Sequence, residues 1–538
     1  MISREETFAL IIGGGPVGLS LALDLGRRNV PTILVNQGTV TAQHPKCNYS
    51  NTRTMEHFRR LGIASEVRRS GLGADFPRAV SFRNRFTEYE LGRIELTFLK
   101  ESVWPGPEYP HNISQLFLEP ILKAHAETQD GIDIRFGHKA LEITMDEDGA
   151  TVLVEELKSG ARYVVRAAYV IGCDGASSLV RQTIGSKLVG ENGSIVRNFV
   201  SGTMMAYFIR SPTLYGKSRA TPAVLTWIVN HDARGFIMSQ DGREKFIVHY
   251  QVPPGVDWQN LKTEDVMARM LGPTADYEVL SSGPWRGGLA LVADKYSDGR
   301  AFIAGDAAHL YTPLGGFGMN TGIGDAINLG WKLAAMHQGW GGRHLTESYD
   351  PERRPIGTRN SQIGIHCAAR KDKWHIPADI NEDSPTAEKS RASFGAFIAE
   401  DDRDEYATLG IQLGERYFSP VVVPPTESPA VDSWDRYTPS DAAGARAPHF
   451  LLDEQTSVYD AFGFDFALIA FAGADSEPIE REAASCKLPI RTVRSAKLDP
   501  QYKHLLVLVR PDGHVAWSGD RAPADARALI DRIRGAIS

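Results

Sequence analysis

The sequence Phe8-Ala9-Leu10-Ile11-Ile12-Gly13-Gly14-Gly15-Pro16-Val17-Gly18 decides the fold of the first part of the chain. Residues 8–12 form a short apolar run, which is typical of a buried parallel strand. Residues 17–27 place apolar side chains at helical spacing, and the β-branched residues 32–35 predict a second strand. Together these segments predict a βαβ unit.

The glycine turn has the GxGxxG spacing directly after a strand and at the start of a helix. This pattern allows a tight turn, close approach of the backbone to a pyrophosphate, and close helix–strand packing. The helix N-terminus adds amide donors. The alternative is a glycine turn in an unrelated α/β domain. We predict a Rossmann-type site for one dinucleotide, contacted by Gly13, Gly15, Pro16 and Gly18.

The second strand ends in Val35-Asn36-Gln37, where such sites usually carry an acidic residue for a ribose hydroxyl. Asn36 can accept a hydrogen bond there but brings no charge, and Gln37 follows it. The sequence contains one such fingerprint, so a second nucleotide would bind without a domain of its own.

Composition excludes several classes of protein. The 538 residues are 42% hydrophobic and 23% charged, with a net charge of −7, which gives no footprint for nucleic-acid binding. No apolar run approaches ~18 residues, so we expect no membrane-spanning helix. The N-terminal residues show no secretory signal. The scattered cysteines predict neither disulfides nor a metal site and favour a cytoplasmic enzyme: Cys47, Cys173, Cys367 and Cys486.

Two further segments complete a set of motifs. One is Asp174-Gly175-Ala176-Ser177-Ser178-Leu179-Val180-Arg181. The other begins Gly305-Asp306-Ala307-Ala308-His309 and continues through residues 313–333. With the glycine turn, these motifs resemble the single-component FAD-dependent aromatic hydroxylases related to p-hydroxybenzoate hydroxylase and phenol hydroxylase. The resemblance covers residues 1–360.

The resemblance implies a set of FAD contacts. Asp306 would accept hydrogen bonds from the ribityl chain, and residues 315–320 would open a helix whose N–H groups face the flavin ring. Lys46 stands where many relatives have an arginine for the FAD phosphates, and lysine lacks its bidentate fork. The cofactor-binding residues implied in this way are Lys46, Gln115, Asp174, Gly175, Asp306, Pro313, Gly316, Gly318, Met319 and Asn320.

The implied reaction is hydroxylation of a phenolic ring, ortho to its hydroxyl. In the family, NADH or NADPH reduces FAD, O₂ adds to form a flavin hydroperoxide, and its terminal oxygen passes to the ring. The sequence does not choose between NADH and NADPH. The alternatives are a polyketide-tailoring hydroxylase or Baeyer–Villiger monooxygenase acting on a polycyclic substrate, and a flavin-binding protein without enzymatic activity.

A phenolic substrate needs a base or a strong acceptor beside its hydroxyl. Candidates on the middle sheet are Tyr207, Trp227, His249 and Tyr250, although such residues in a strand are more often part of the core. Strand alternation puts His249 and Tyr250 on opposite faces. Pro313 lies on the flavin loop, where the matching proline of relatives borders the substrate. Asn48 stands where phenol hydroxylase carries its active-site aspartate, so that base is absent here.

A basic cluster and the C-terminal part complete the interpretation. Arg210, Lys217 and Arg219 either bind an anionic substituent or are solvated surface charges. The C-terminal part resembles the thioredoxin-like domain of the phenol hydroxylase branch. Without CxxC we expect packing or support of a homodimer, not redox chemistry.

We therefore predict an α/β fold with an α+β insert, in five parts. They are a discontinuous FAD-binding domain (residues 1–75, 110–190 and 285–360), a mostly antiparallel substrate-binding sheet (76–109 and 191–284), a helical connection (361–416), a Pro-rich linker (417–448) and the thioredoxin-like domain (449–538). We also predict helices over residues 324–336 and 523–537, the latter with Pro523 in its first turn.

Overall fold

The computed structural model describes residues 3–96, 104–191, 202–287, 289–424 and 433–537. The strands are β1 (Ser3–Ile12), β2 (Thr32–Asn36), β3 (Ala79–Arg83), β4 (Glu90–Glu95), β5 (Ile132–Phe136), β6 (His138–Asp146), β7 (Gly149–Glu156), β8 (Arg162–Gly172), β9 (Leu188–Glu191), β10 (Gly202–Arg210), β11 (Leu225–Val229), β12 (Arg234–Ser239), β13 (Lys245–Gln251), β14 (Glu278–Gly287), β15 (Ala290–Ala293), β16 (Ser297–Asp298), β17 (Ala301–Ile303), β18 (His309–Leu310), β19 (Phe466–Phe471), β20 (Ile490–Ser495), β21 (Leu506–Val509) and β22 (Val515–Gly519).

The helices are α1 (Pro16–Arg27), α2 (Thr52–Arg60), α3 (Ala64–Ser70), α4 (Gln115–Glu127), α5 (Leu179–Thr183), α6 (Leu214–Lys217), α7 (Thr263–Met270), α8 (Phe317–His337), α9 (Arg343–Glu347), α10 (Tyr349–Lys371), α11 (Pro385–Asp401), α12 (Arg403–Tyr406), α13 (Leu409–Leu413), α14 (Val458–Phe462), α15 (Glu477–Ser485) and α16 (Ala526–Ile533). No helix in the described ranges is both long and apolar enough to cross a bilayer.

The nucleotide-binding part is built on an eight-stranded sheet with the parallel order β17-β8-β1-β2-β5 at its centre. Helix α1 lies against α4 and α8, and the main hydrophobic core is between these helices and the sheet. The predicted βαβ unit is confirmed. Because these strands are parallel, their carboxyl ends share one edge, and the glycine turn and both later motifs follow strands that end there.

The second sheet has seven strands in the order β14-β10-β13-β12-β11-β3-β4. Five of its six pairings are antiparallel, and β11 with β3 is parallel, which confirms the mostly antiparallel insert. Residues 192–201, part of the range predicted for this insert, lie outside the described residues. One face of the sheet packs on α7, and the other face turns toward the nucleotide-binding edge.

Two helix predictions were wrong at their starts. Helix α8 begins at Phe317, seven residues before the predicted start, because the glycines at 315 and 316 adopt positive φ and turn the chain directly into the helix. Helix α16 begins at Ala526, so Pro523 precedes it, and the Asp525 side chain caps it by accepting from Ala528 N. The cap by Asp525 sets the start of the helix, so Pro523 lies in the turn that leads into it.

The C-terminal part is held to the nucleotide-binding part by buried charges. The Glu352 carboxylate, on α10, accepts hydrogen bonds from Arg510 at 2.7 and 2.8 Å and from Lys332 of α8 at 2.7 Å. Arg446 forms a second buried ion pair with Glu56 of α2. These contacts join residues that are far apart in the chain. The C-terminal part is therefore packed against the nucleotide-binding part and is not merely connected to it by the preceding segment.

The described residues of the Pro-rich segment wrap around the protein. Tyr417, Val421 and Arg446 are buried, and Ser419 donates to Glu352 at 2.7 Å. Of the two alternatives for this segment, an exposed linker and a wrapping segment, the structure favours the second. Pro425 and Pro429 fall outside the described residues.

We expect Glu352→Gln to lower the free energy of unfolding by about 3–5 kcal/mol, because Arg510 and Lys332 would keep buried charges without their counterion. Denaturant unfolding of the purified protein measures this change. The control is Glu347→Gln, which removes an exposed partner of His344 and should cost less than about 1 kcal/mol. Equal effects of the two variants would show that the buried pair does not hold the parts together.

Candidate active site

The three glycines of the turn have different surroundings. A Cβ on Gly13, whose φ is +113°, would lie 2.1 Å from Cys173 O, and one on Gly18 would lie 2.0 Å from Gly13 O. A Cβ on Gly15 would meet no protein atom within 4 Å. Packing therefore requires the first and third glycines, whereas Gly15 faces open space. This is the arrangement expected of a backbone that approaches a ligand closely.

Asn36 is bound to the glycine turn itself. Its Oδ1 accepts a hydrogen bond from Gly14 N at 3.0 Å, and its Nδ2 donates to Gly38 O at 3.1 Å. Asn36 and Gln37 both line the cavity beside the turn. The amide thus orients the turn, a role for which the uncharged side chain is suited.

The Asp306 turn is fixed by a buried carboxylate on α8. Asp325 accepts hydrogen bonds from Gly305 N at 3.2 Å, from Arg353 at 2.8 Å and from a ring nitrogen of His309 at 2.9 Å. The Asp306 carboxylate is surrounded by protein but open to the cavity, and it makes no hydrogen bond with the described residues. Burial raises the pKa of Asp306. An unpartnered acceptor in this position is free to bind hydroxyl groups.

Two more predicted residues are held by local hydrogen bonds. Asp174 Oδ2 accepts from Leu179 N at 2.7 Å at the start of α5, while its Oδ1 has no partner, and burial raises the pKa of this carboxyl. Gln115 donates to Glu119 at 2.5 Å. Both side chains line the cavity, together with Gly175 and Lys46.

The N-terminus of α8 also faces the cavity. Gly315 and Gly316 have φ of 73° and 66°, and a Cβ on Gly318 would meet nothing within 4 Å. Asn320 uses its side chain structurally, because its Nδ2 donates to Tyr49 O at 3.0 Å and its Oδ1 accepts from Asn51 N at 2.8 Å. The N–H groups of this first turn have no intrahelical acceptor, so they form an electropositive end.

One cavity of about 1410 Å³ connects all these groups with the second sheet. A pocket for one small ligand is typically about 300–1,000 Å³, so this volume has room for a dinucleotide and a second molecule. Of the predicted site residues, the cavity is lined by Gly13, Gly15, Pro16, Asn36, Gln37, Lys46, Asn48, Gln115, Asp174, Gly175, His249, Asp306, Pro313, Gly316, Gly318 and Met319.

The far wall of the cavity is an aromatic group on the second sheet, which we call the aromatic wall: Trp227, Phe236, His249 and Trp285. The His249 ring stacks on Phe236 with centroids 4.4 Å apart and meets Trp285 edge-on at 5.4 Å. Burial lowers the pKa of His249 to about 3, so its imidazole is neutral. His249 Nδ1 and Trp285 Nε1 are buried and have no hydrogen-bond partner among the described residues.

The structure corrects two of the catalytic candidates. Tyr207 and Tyr250 do not line the cavity, and both are buried in the core on the opposite face of the sheet. The register pairs Ala206 with His249 and Met205 with Tyr250. Because strand side chains alternate, the face that presents Ala206 and His249 to the cavity turns both tyrosines away.

The remaining candidates have clear positions. Asn48 lies in the cavity wall, where its Nδ2 donates to Ser239 O at 3.0 Å and its buried Oδ1 has no partner among the described residues. Pro313 borders the same cavity just before α8. The basic cluster is not part of the wall: Arg210 pairs with Glu244, Lys217 pairs with Asp276, and Arg219 lies over the Tyr89 ring.

Sequence reasoning missed the residues that the helical connection contributes. Glu405, Tyr406 and Thr408 line the cavity, and Glu405 and Thr408 are buried. In the sequence they follow a run of charged residues, 400–404, which is typical of a solvated surface. The one available signal was the i, i+3 spacing of Asp402 and Glu405, which puts both carboxylates on one helical face.

Comparisons with known proteins agree with this geometry. A family model described as FAD binding domain matches residues 6–363, and one described as Aromatic-ring hydroxylase, C-terminal, matches residues 440–536. FAD-dependent monooxygenase apdD of Emericella nidulans is 31% identical, with 98% of this chain and 90% of that protein covered. The 4-methyl-5-nitrocatechol 5-monooxygenase of Burkholderia sp is 28% identical, with 99% and 98% covered.

Among solved structures, RebC soaked with chromopyrrolic acid and containing 7-carboxy-K252c has a TM-score of 0.90 and 32% identity. The match covers 99% of this chain and 100% of that chain. The glycine turn, the Asp306 turn and the α8 N-terminus form one cavity with the aromatic wall. The two family models together describe an FAD-binding domain followed by the C-terminal domain of aromatic-ring hydroxylases. The chain therefore belongs to the FAD-dependent aromatic-ring monooxygenases.

Proposed function

We propose that this enzyme hydroxylates an uncharged phenolic ring, ortho to its hydroxyl, with NADH or NADPH and O₂ as co-substrates. The observation that carries the proposal is the continuous cavity from the glycine turn to the aromatic wall. Apolar and aromatic side chains suit a flat ring, and the His249 imidazole among them is a polar group that suits a hydroxyl. The Burkholderia relative acts, by its name, on a substituted catechol, which is also a phenol.

The residues on the cavity's other side fit FAD. Gly15 leaves space for the pyrophosphate, Asp306 offers an unpartnered acceptor for the ribityl hydroxyls, and Gly318 leaves space beside the α8 N-terminus. Lys46 lines the cavity and supplies a positive charge for a phosphate. When bound, FAD supplies the redox chemistry by which O₂ becomes an oxidant for the ring.

The protein's own contribution is to bind and orient the substrate and to exclude water. The His249 imidazole and the Asn48 amide both line the cavity, where they would orient a substrate hydroxyl. Pro313 borders the cavity between the α8 N-terminus and the substrate side. The positive end of α8 stabilises negative charge beside it without any rearrangement during the reaction.

A polycyclic substrate is the second candidate, and the volume of about 1410 Å³ favours it. Polyketide-tailoring hydroxylation or Baeyer–Villiger oxidation would use the same cofactor side and a larger part of the cavity. For both candidates, we propose that NADH or NADPH reaches the same cavity. We further propose a cytoplasmic location, which the free state of all four cysteines supports.

We expect Gly15→Ala to fold normally but to bind FAD at least roughly tenfold more weakly. The added methyl meets no protein atom, yet it occupies the space through which the pyrophosphate approaches. Titration of the apoprotein with FAD, followed by flavin fluorescence, measures the affinity. Gly13→Ala is the contrasting variant, since its Cβ would collide with Cys173 O and prevent folding. Wild-type FAD affinity in Gly15→Ala would contradict the assignment.

We expect His249→Phe to raise the KM for a phenolic substrate roughly tenfold, about the value of one hydrogen bond, while the ring stacking is kept. Because the pKa of His249 is about 3, the shape of the kcat/KM profile between pH 5 and 9 should not change. Steady-state kinetics across this range gives both quantities. Tyr250→Phe, on the opposite sheet face, should leave KM unchanged. A lost pH inflection in His249→Phe would refute the neutral role.

We expect neutral phenols to stimulate NAD(P)H oxidation with hydroxylated product, and carboxylated phenols to be at least about 100-fold poorer in kcat/KM. The four side chains of the aromatic wall carry no positive charge, and burying an unpaired charge costs several kcal/mol. Of the arginines elsewhere in the cavity lining, Arg78 is already bound to Asn112 Oδ1 and to the Leu72 and Gly73 carbonyls, and Arg286 is exposed. A panel of phenol, nitrophenols, hydroxybenzoates and one polycyclic polyketide tests this. Equal activity with hydroxybenzoates would contradict the uncharged substrate, and activity with the polycycle alone would select the second candidate.

A further inference from the structure

A buried ionic cluster lies behind the aromatic wall, in the segment to which the sequence assigned only a helical connection. Lys371, at the end of α10, forms ion pairs with Asp402 and with Glu405, the latter at 2.9 Å. All three side chains are buried. The Lys371 ammonium also lies over the rings of Trp227 and Trp374, at 4.7 and 4.9 Å from their centroids.

The cluster reaches the cavity in two places. Glu405 lines the cavity, and its Oε1 lies 3.4 Å from Gly315 N, on the turn that starts α8. Tyr406 lines it too, with its hydroxyl accepting from Trp227 Nε1 at 2.8 Å and donating to Asp402 Oδ2 at 3.4 Å. The cluster is therefore adjacent both to the flavin side and to the aromatic wall.

The charges of the cluster do not balance when both carboxyls are ionised, because two negative charges face one positive charge. A proton shared by the two carboxyls removes this buried excess. Burial and the neighbouring Glu405 charge raise the pKa of Asp402 to about 7, although Lys371 opposes the shift. The pair can therefore hold or release one proton near neutral pH.

The groups around the cluster do not cancel its charge. Arg370, next to Lys371, pairs instead with Asp401 at 3.2 Å and with Asp404. From α10 the buried Cys367 thiol also faces the cluster, and burial raises the pKa of this thiol. From the opposite side come Tyr406, whose pKa burial raises well above its usual value, and the uncharged Trp227. Apart from Arg370, whose charge is paired with Asp401 and Asp404, none of these groups brings a further positive charge.

We propose that the Asp402–Glu405 pair is the proton acceptor for the phenolic substrate, with Glu405 taking the proton at the cavity. This inference rests on the proposed function and names the base that Asn48 cannot provide. The O–H bond of the phenol breaks and an O–H bond forms on the carboxylate, which leaves a phenolate as the nucleophile and a neutral carboxyl in the pair. The proton returns to solvent when the product leaves. Lys371 and Asp402 are positioning residues, since they act through Glu405.

Two other groups that line the cavity, His249 and Asn48, do not compete with Glu405 as the proton acceptor. His249 remains neutral because its pKa of about 3 disfavours the imidazolium, and Asn48 is an amide. Both can orient a hydroxyl but cannot keep its proton at neutral pH. Because the pKa of Asp402 is raised to about 7, the pair has the balance that general base catalysis needs at that pH.

The first test measures protonation of the pair without any substrate. Infrared difference spectra of the FAD-loaded protein between pH 5 and 9 should show a buried protonated carboxyl that disappears with a midpoint near pH 7. In Glu405→Gln the pair no longer shares a proton. The band should therefore be lost, or its midpoint should shift strongly. Asp404→Asn is the matched control, since it changes an exposed acid two residues from Asp402 and should leave the band intact.

The second test uses the phenol that the panel identifies as the best substrate. In the wild type, kcat for hydroxylation should rise with pH to a plateau above about pH 7, as the pair becomes able to accept a proton. In Glu405→Gln, kcat at pH 7 should fall roughly 100-fold or more. It should then rise tenfold per pH unit with ionisation of the phenol itself. The amide oxygen that this substitution introduces can still accept from Gly315 N, which preserves the turn.

The outcomes separate the two proposals. The titrating band together with the changed pH profile supports the proton acceptor. Absence of the band, or an unchanged pH profile in Glu405→Gln, overturns it while hydroxylation by the wild type still upholds the proposed function. If the wild type hydroxylates no phenol of the panel, the proposed function fails, and the role of Glu405 as a base for a phenol fails with it.

Discussion

The buried carboxylate of Asp325 is the interaction on which the site depends. From the middle of α8 it holds Gly305 N, Arg353 and His309 together, and thereby fixes the turn that presents Asp306 to the cavity. Because all its partners are buried, the carboxylate is stabilised only as a complete set, and loss of one partner leaves unpaired charge. The helix whose N-terminus faces the cavity thus also carries the carboxylate that fixes the Asp306 turn.

A second buried carboxylate, that of Glu352, also depends on a complete set of partners. Glu352 joins α8, the wrapping segment and the C-terminal part through Lys332, Ser419 and Arg510, and these partners satisfy both of its oxygens. Although burial favours the neutral acid, the two cations hold the pKa of Glu352 well below its usual value. The C-terminal part therefore supports the helix whose N-terminus faces the cavity. This is a structural role, and it needs no redox cysteines.

The sequence predicted best where one residue type satisfies one local requirement. Gly13 and Gly18 are demanded by packing and Gly15 by ligand approach, so their spacing indicated both the turn and its purpose. The direction of side chains on the second sheet was harder to predict. Strand alternation separated His249 from Tyr250, but only the register of β10 and β13 shows which side chains share the face that meets the cavity. Nothing local distinguishes a charged run that is solvated from one that tertiary packing buries, which explains the failure to predict Glu405.

The two ends of the cavity differ in the charged groups that surround them. The nucleotide side combines a helix N-terminus and Lys46 with the carboxylate of Asp306, which suits a cofactor bearing phosphates and hydroxyls. The aromatic wall instead keeps its one imidazole neutral, and the charges of Lys371, Asp402 and Glu405 behind it balance while the two carboxyls hold one proton. A neutral phenol therefore suits this end of the cavity. In our proposal, the negative charge of the substrate is created inside the cavity, by removal of its proton, when oxygen is to be transferred.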